Sequence, residues 1–341
     1  MSNIPTDIQK SLLAKYGIEQ EDLNITLDEL DSFGDTKSIK DMMQSIAAYN
    51  SMLEQRITFI NKDITRAIPF TRENLYLMCA YSGSGKSSAA ANVSHPLWKQ
   101  GKKTVVISNE ESEQDIIFRI ACLELGYDFN KYKKGLMPVE LQKECIMLFP
   151  SITKCVKVVD VNYKNGITTK VEGVKSVLEA IKNEDYSCAM IDYFQLIKTS
   201  VEKPGASVYE VLNDFRIWLG RYIKRSNIPI VVFAQLHSLG KRNNKDLDSR
   251  IKDCPTIYEP STVVIEMQPD FENKTTNFII HKDRFGLAGH KITCGFHRGR
   301  FVTMDSEAMK NVQLDKAKEL ESIIDTEEHD KTKEDLGDGS S

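Results

Sequence analysis

The sequence predicts an α/β fold, with a mostly parallel central sheet flanked by helices and organised around a phosphate-binding loop. Three observations carry this. From about residue 59 to 305, short apolar runs alternate with amphipathic stretches at helical spacing. The early runs are near-continuous Val, Ile and Met, as in strands buried on both faces. Finally, Leu75-Tyr76-Leu77-Met78-Cys79 leads directly into Ala80-Tyr81-Ser82-Gly83-Ser84-Gly85-Lys86-Ser87-Ser88, which reads as strand, loop, then helix.

In chain order, residues 5–16 have helical spacing through Ile8, Leu12, Leu13 and Tyr16 and stop at Gly17. Residues 18–35 are acidic and irregular. Residues 36–57 form a better helix, capped by Asp35 or Thr36, with Ile39, Met43, Ile46, Leu53 and Ile57 at three- and four-residue steps. That stripe suits packing on its own domain or on a neighbouring subunit. Strands are expected at 75–80, 104–109, 156–160, 187–192, 229–235, 262–267, 276–282, 290–296 and 299–303. Helices are expected at 86–99, 112–126, 138–148, 168–183 and 207–226. The last strands are short and read as an antiparallel closure. Residues 306–341 read as a charged helix or a disordered acidic tail. The expected division is a helical N-terminal extension (1–58), a nucleotide-binding domain (59–305) and the tail.

Composition excludes some function classes. The chain has 341 residues, is 41% hydrophobic and carries a formal net charge of −4, so no global basic field announces nucleic acid. From Lys316 onward there are 4 Lys against 9 Asp and Glu, which leaves the remainder near neutral. Any nucleic-acid contact must come from a local patch. The seven Cys form no C-x-x-C pair and fit reduced, buried thiols in a cytoplasmic protein. No structural zinc is expected. The polar start Met1-Ser2-Asn3-Ile4-Pro5-Thr6 lacks a signal-peptide core, and no apolar run approaches a membrane span.

The loop supplies the chemistry of triphosphate binding. Residues Ser82, Gly83, Ser84, Gly85, Lys86, Ser87 and Ser88 are expected to hold ATP: small residues let backbone N–H groups turn inward, and the following helix points its positive end at the phosphates. Lys86 adds a point charge for the β/γ oxygens, and the Ser87 hydroxyl is a hard ligand for Mg²⁺. Ala80 stands where the pattern usually has its first glycine, which is tolerable if its φ stays negative. Cys188-Ala189-Met190-Ile191-Asp192 is an apolar strand ending in a carboxylate, the form of a Walker B strand, so Asp192 joins Ser87 at the metal. Thr104-Val105-Val106-Ile107-Ser108-Asn109-Glu110-Glu111 ends in acids placed to orient water; Glu110 is the first choice and Glu111 the fallback, against a solvated helix-start carboxylate. Ile230-Val231-Val232-Phe233-Ala234-Gln235 ends in an amide suited to sensing the γ-phosphate or merely capping the strand. In His281-Lys282-Asp283-Arg284-Phe285-Gly286, Lys282 and Arg284 project to one side of a strand, either as a solvated basic turn or as a trans-acting finger.

The order of these elements resembles the C-terminal motor domain of DnaB-type replicative helicases, within the RecA-like ATPases, over about residues 60–304. The carriers are Ala80–Ser88, Ser108-Asn109-Glu110, Met190-Ile191-Asp192-Tyr193-Phe194-Gln195-Leu196, Phe233-Ala234-Gln235-Leu236 and Lys282-Asp283-Arg284-Phe285-Gly286. The resemblance implies that Glu110 is the catalytic glutamate, Asp192 the metal-site aspartate and Gln235 the sensor glutamine. Lys282 and Arg284 would be the pair supplied to the next subunit. It further implies hexameric rings around single-stranded DNA, 5′–3′ movement, and a helicase loader or primase as partner. The family's N-terminal helical domain is expected to be missing, since about 58 residues precede the motor. The 36–57 helix resembles the linker helix that docks on the next subunit. Such a trimmed chain suggests a phage or mobile-element helicase. Loops 199–208 and 238–256 would line the pore, with Lys241, Arg242, Arg250, Lys252 and Asp253 as the DNA-contacting set.

The sequence therefore leads to an ATP-driven, ring-forming DNA helicase using ATP and Mg²⁺. Two other readings stay open: a RecA-like recombinase or mediator filament, and a non-motor regulatory or loader ATPase.

Overall fold

The computed structural model describes residues 59–68, 70–164, 166–237, 246–284, 286–307 and 309–310. The expected helices at 5–16 and 36–57, the tail beyond residue 310, and Lys241 and Arg242 lie outside the described residues.

Nine strands form one sheet in the order β3-β2-β4-β5-β1-β6-β7-β8-β9. They are β1 (Leu75–Ala80), β2 (Lys103–Ser108), β3 (Val156–Val159), β4 (Tyr186–Asp192), β5 (Ile230–Gln235), β6 (Val263–Asp270), β7 (Thr275–Asp283), β8 (Lys291–His297) and β9 (Arg300–Val302). Strands from β3 to β6 in this order pair parallel, and β6 to β9 pair antiparallel. The expected mostly parallel sheet with an antiparallel closure is what the chain adopts.

The helices are α1 (Lys62–Ala67), α2 (Lys86–Lys99), α3 (Glu113–Leu125), α4 (Phe129–Lys133), α5 (Val139–Met147), α6 (Phe149–Cys155), α7 (Val171–Ile181), α8 (Val208–Ser226) and α9 (Leu247–Arg250). Their ends follow local chemistry. Ser112 and Ser207 accept backbone N–H bonds at the starts of α3 and α8, the latter in a full capping box with Glu210. Gly126 closes α3 in the left-handed conformation that a side chain resists. The short helices α1, α4, α6 and α9 escape the sequence reading because too few turns are present to show a period.

Strand β1 shows why both faces must be covered. Tyr76, Met78 and Ala80 belong to one core with α2 and α3, while Leu75, Leu77 and Cys79 belong to the other with α7 and α8. Every residue of β1 is buried, so alternation places apolar side chains into two separate layers. On the second face Phe194, Phe215, Trp218 and Tyr222 stack in succession at 4.8–5.9 Å between centroids. Past β9 the chain turns back and buries Met309 against Val302.

One buried polar residue ties the phosphate-loop helix to the closing strands. Asn92 on α2 donates to the Ser88 and Gly299 carbonyls at 2.7 and 2.8 Å and accepts from the Phe301 N–H at 3.1 Å. Nothing in the sequence pattern marks it. Asn92→Ala leaves the Gly299 carbonyl and Phe301 N–H without these partners, and urea denaturation is expected to show a loss of about 2 kcal/mol. An unchanged midpoint would show that these bonds contribute nothing net.

Candidate functional site

The C-terminal ends of β1, β2, β4 and β5 converge where ligands of open α/β sheets bind. β1 runs through Ala80 into the loop. Ala80 is buried strand with negative φ, so it occupies the place of the usual glycine without strain. Gly83 and Gly85 take φ of 74° and 88°, which non-glycine residues adopt at a cost. Gly85 caps α2 without a side-chain bond, so the first amides of the helix remain available to an anion. Gly83 to Ser88 line a cavity of about 790 Å³.

Lys86 is buried at the floor of this loop. Its Nζ lies 3.1 Å from the Tyr81 carbonyl and 5.4 Å from the centre of the Tyr193 ring. Burial lowers its pKa, and the charges of Asp192 and Glu110 work against that. Asp192 ends β4 beside Ser108 of β2 and is 1% exposed. Neither carboxylate oxygen has a hydrogen-bond partner in the folded chain. Burial pushes this carboxyl up to about 7; the adjacent Ser87 hydroxyl lowers it in part, and the Glu110 and Glu111 charges add to the rise. A buried, orphaned carboxylate next to a serine hydroxyl is a set of hard oxygen donors, the chemistry that Mg²⁺ requires. The residues present therefore fit that ion.

The two candidate bases are in different circumstances. Glu111 is ion-paired with Arg119, whose guanidinium rests 4.0 Å from the Phe129 ring centre. Glu110 is exposed into the same cavity and has no ion-pair partner among the described residues. This favours Glu110 over Glu111 as the group free to meet a water.

Gln235 lies beside Ala80 in the sheet. Its backbone is clamped by Gln195, a residue the motif contains but for which the sequence suggests no role. Gln195 Nε2 donates to the carbonyls of Gln235 and Lys252, at 3.1 and 2.9 Å, and its Oε1 accepts from the Gln235 N–H at 3.0 Å. Lys252 N–H also returns to the Gln235 carbonyl at 2.9 Å. The 236–252 loop thus leaves and re-enters the sheet at the sensor position. Lys252 and Asp253 follow immediately, half-buried, with Asp253 at a φ of 63°.

Arg250 departs from its expected place in the DNA-contacting set. Its guanidinium grips Glu266 with two bonds of 2.8 and 2.6 Å, and His281 Nε2 lies 2.8 Å from the same carboxylate. Glu266 is buried in β6 opposite Cys79, where a lone carboxylate would be costly. Burial raises its pKa, but hydrogen bonds from His281, Arg250 and Gln268 more than cancel that and hold it at about 2. Arg250 is spent on this pair and is not free to hold a phosphate.

Lys282 and Arg284 are not brought to the loop. Asp283 pairs with Val263, and Val263 with Tyr76, so this end of β7 lies at the opposite edge of the sheet. Five residues of β1 from Tyr76 to Tyr81 separate it from the loop, about 16 Å. Lys282 Nζ donates to the Tyr258 and Glu259 carbonyls at 3.0 and 2.9 Å, and burial lowers its pKa. Arg284 is exposed.

Comparison with known proteins follows the same lines. The family model described as DnaB-like helicase C terminal domain matches residues 16–302. Among solved structures, a stand-alone ATPase domain superposes with a TM-score of 0.63 at 17% identity, covering 80% of this chain and 100% of that one. A DnaB-like replicative helicase, described with its interactions with primase, superposes with a TM-score of 0.62 at 17% identity, covering 88% of this chain and 74% of that one. At this identity the likenesses show the fold. No curated protein sequence matches the chain. No helix among the described residues is long and apolar enough to cross a membrane.

The Asp192 carboxyl gives a signed pH prediction. Its folded pKa of about 7 stands above the ordinary 3.8, so its cost is absent below about pH 4, grows up to about pH 7 and is full above that. Asp192→Asn is expected to be more stable than wild type at pH 8 in magnesium-free buffer, on the order of 3 kcal/mol, and equal to it near pH 4. Parallel urea titrations at the two pH values check this; a variant no more stable at pH 8 contradicts it.

Proposed function

The chain belongs to the DnaB-like helicase C-terminal domain family, and on that footing we propose that it is an ATP-dependent, ring-forming helicase that moves along single-stranded DNA. What supports the reading most is the division of the site between two edges of one sheet. The phosphate loop, Asp192 and Glu110 lie at one edge, and Lys282 and Arg284 lie at the other. A cation about 16 Å from its own loop serves hydrolysis only on a neighbouring copy.

In this proposal the loop amides and Lys86 bind the β- and γ-phosphates. Ser87 and Asp192 hold Mg²⁺, which when bound screens phosphate charge. Glu110 orients water and accepts its proton. Arg284 of an adjacent copy, with Lys282, meets the charge that develops on the γ-phosphoryl oxygens. Gln235 senses the γ-phosphate. Because Gln195 binds both Gln235 and Lys252, a shift at the sensor displaces the loop that carries Lys252 and Asp253. That loop, with Lys241 and Arg242, is proposed to contact DNA backbone, which carries no sequence information. The proposed division is a helical extension at 1–58, the motor at 59–305 and a charged tail after it. A hexamer, a helicase loader or primase as partner, 5′–3′ polarity and a cytoplasmic setting belong to the same proposal.

Lys86→Ala is expected to lose nucleotide binding and ATPase activity together. Arg284→Ala is expected to bind nucleotide normally and to lose about a thousandfold in hydrolysis. ATPase assays with and without single-stranded DNA, beside strand displacement on a forked duplex, check the motor reading. Full hydrolysis by Arg284→Ala removes the shared site. ATPase indifferent to DNA, without unwinding, favours a non-motor ATPase.

A further inference from the structure

The cavity beside the phosphate loop is larger than a triphosphate needs, and its far side is built from hairpins that the proposed chemistry does not use. The β6–β7 turn and the β8–β9 turn form that side. At the tip of the first sits Phe271, 76% exposed. A single exposed apolar residue is ordinary on a protein surface. This one lines the same cavity as Gly83 to Ser88.

The turn that carries it is well tied. Asp270 accepts from the Asn273 N–H and side-chain amide at 3.0 and 2.8 Å. Lys274 takes a φ of 50°, and its carbonyl accepts from the Phe296 N–H at 2.7 Å, which joins the turn to β8. Facing the cavity from the α3–α4 side is Arg119, held by Glu111 and resting on Phe129. An aromatic ring on a braced turn, beside a phosphate cradle and across from a fixed guanidinium, offers a flat apolar partner to a flat ligand group.

We infer that Phe271 is the stacking platform for the nucleobase of the bound triphosphate. The inference rests on the phosphate loop being a nucleotide site and adds where the base goes and how it is selected. Stacking uses the π-face that every base has and reads no edge hydrogen bonds. Adenine and guanine are therefore held alike.

The test is equilibrium binding of Mg-ATP, Mg-GTP and magnesium tripolyphosphate, which has no base, to the full chain. Phe271→Ala is expected to weaken ATP and GTP roughly tenfold each, and to leave tripolyphosphate unchanged. Phe271→Trp restores or tightens nucleotide binding. The exposure of Phe271 makes the variants safe for folding, and matched thermal denaturation verifies that. The inference is overturned by an equal loss for ATP and tripolyphosphate, or by no loss for either. It is likewise overturned by a change in oligomeric mass on sedimentation with an unchanged ATP-to-tripolyphosphate ratio, which would make Phe271 a subunit contact. Wild-type protein that binds neither ligand would instead sink the phosphate-loop reading itself, and this inference with it.

Discussion

A carboxylate without a hydrogen-bond partner lies buried where β4 ends, and the surrounding architecture holds it there. Asp192 is sealed by neighbouring strands, with the Lys86 ammonium and the Ser87 hydroxyl close by. Leaving such a group unsatisfied costs folding free energy unless a ligand completes it. Active sites concentrate this kind of local cost, because a dry, preorganised carboxylate discriminates strongly for a cation. The two apolar layers on either face of the sheet supply the rigidity that keeps it in place.

The tips of the parallel strands do different things with similar means. β1 delivers amides and a lysine, β2 an exposed glutamate, β4 the buried aspartate and β5 an amide clamped from behind by Gln195. The clamp joins the sensor strand to the returning loop at Lys252 by direct hydrogen bonds. A second network runs close by. Arg250, Glu266 and His281 bond one another across the loop, β6 and β7, and Arg250 also reaches the Tyr81 hydroxyl at 3.4 Å. The phosphate loop, the loop after β5 and the strand that carries Lys282 are therefore joined through short polar contacts. Each contact is a place where one part feels displacement of another.

Much of this was legible beforehand. Continuous apolar runs marked all nine strands because burial on both faces leaves no room for polar residues, and the glycine-rich loop announced itself through positions only glycine occupies freely. Strand-end acids and amides were visible as breaks in those runs. What stayed hidden depends on contacts distant in sequence. Arg250 looked like one more cation in a basic loop; only the register of β6 reveals that Glu266 needs it. Glu110 and Glu111 are chemically identical until Arg119 engages one of them. Asn92 bonds residues more than 200 positions away, and Gln195 serves two backbones that no spacing rule connects.

The central claim is that a working ATPase site draws its loop from one copy and its Arg284 from another. Mixing two inactive variants tests it most directly. Lys86→Ala subunits lack the loop charge, and Arg284→Ala subunits lack the finger. Co-assembled, they create some interfaces with an intact loop facing an intact finger. The account predicts that each variant alone is silent and that the mixture recovers a clear fraction of wild-type ATPase activity. A mixture as inactive as its components, in assemblies verified to contain both, would contradict it.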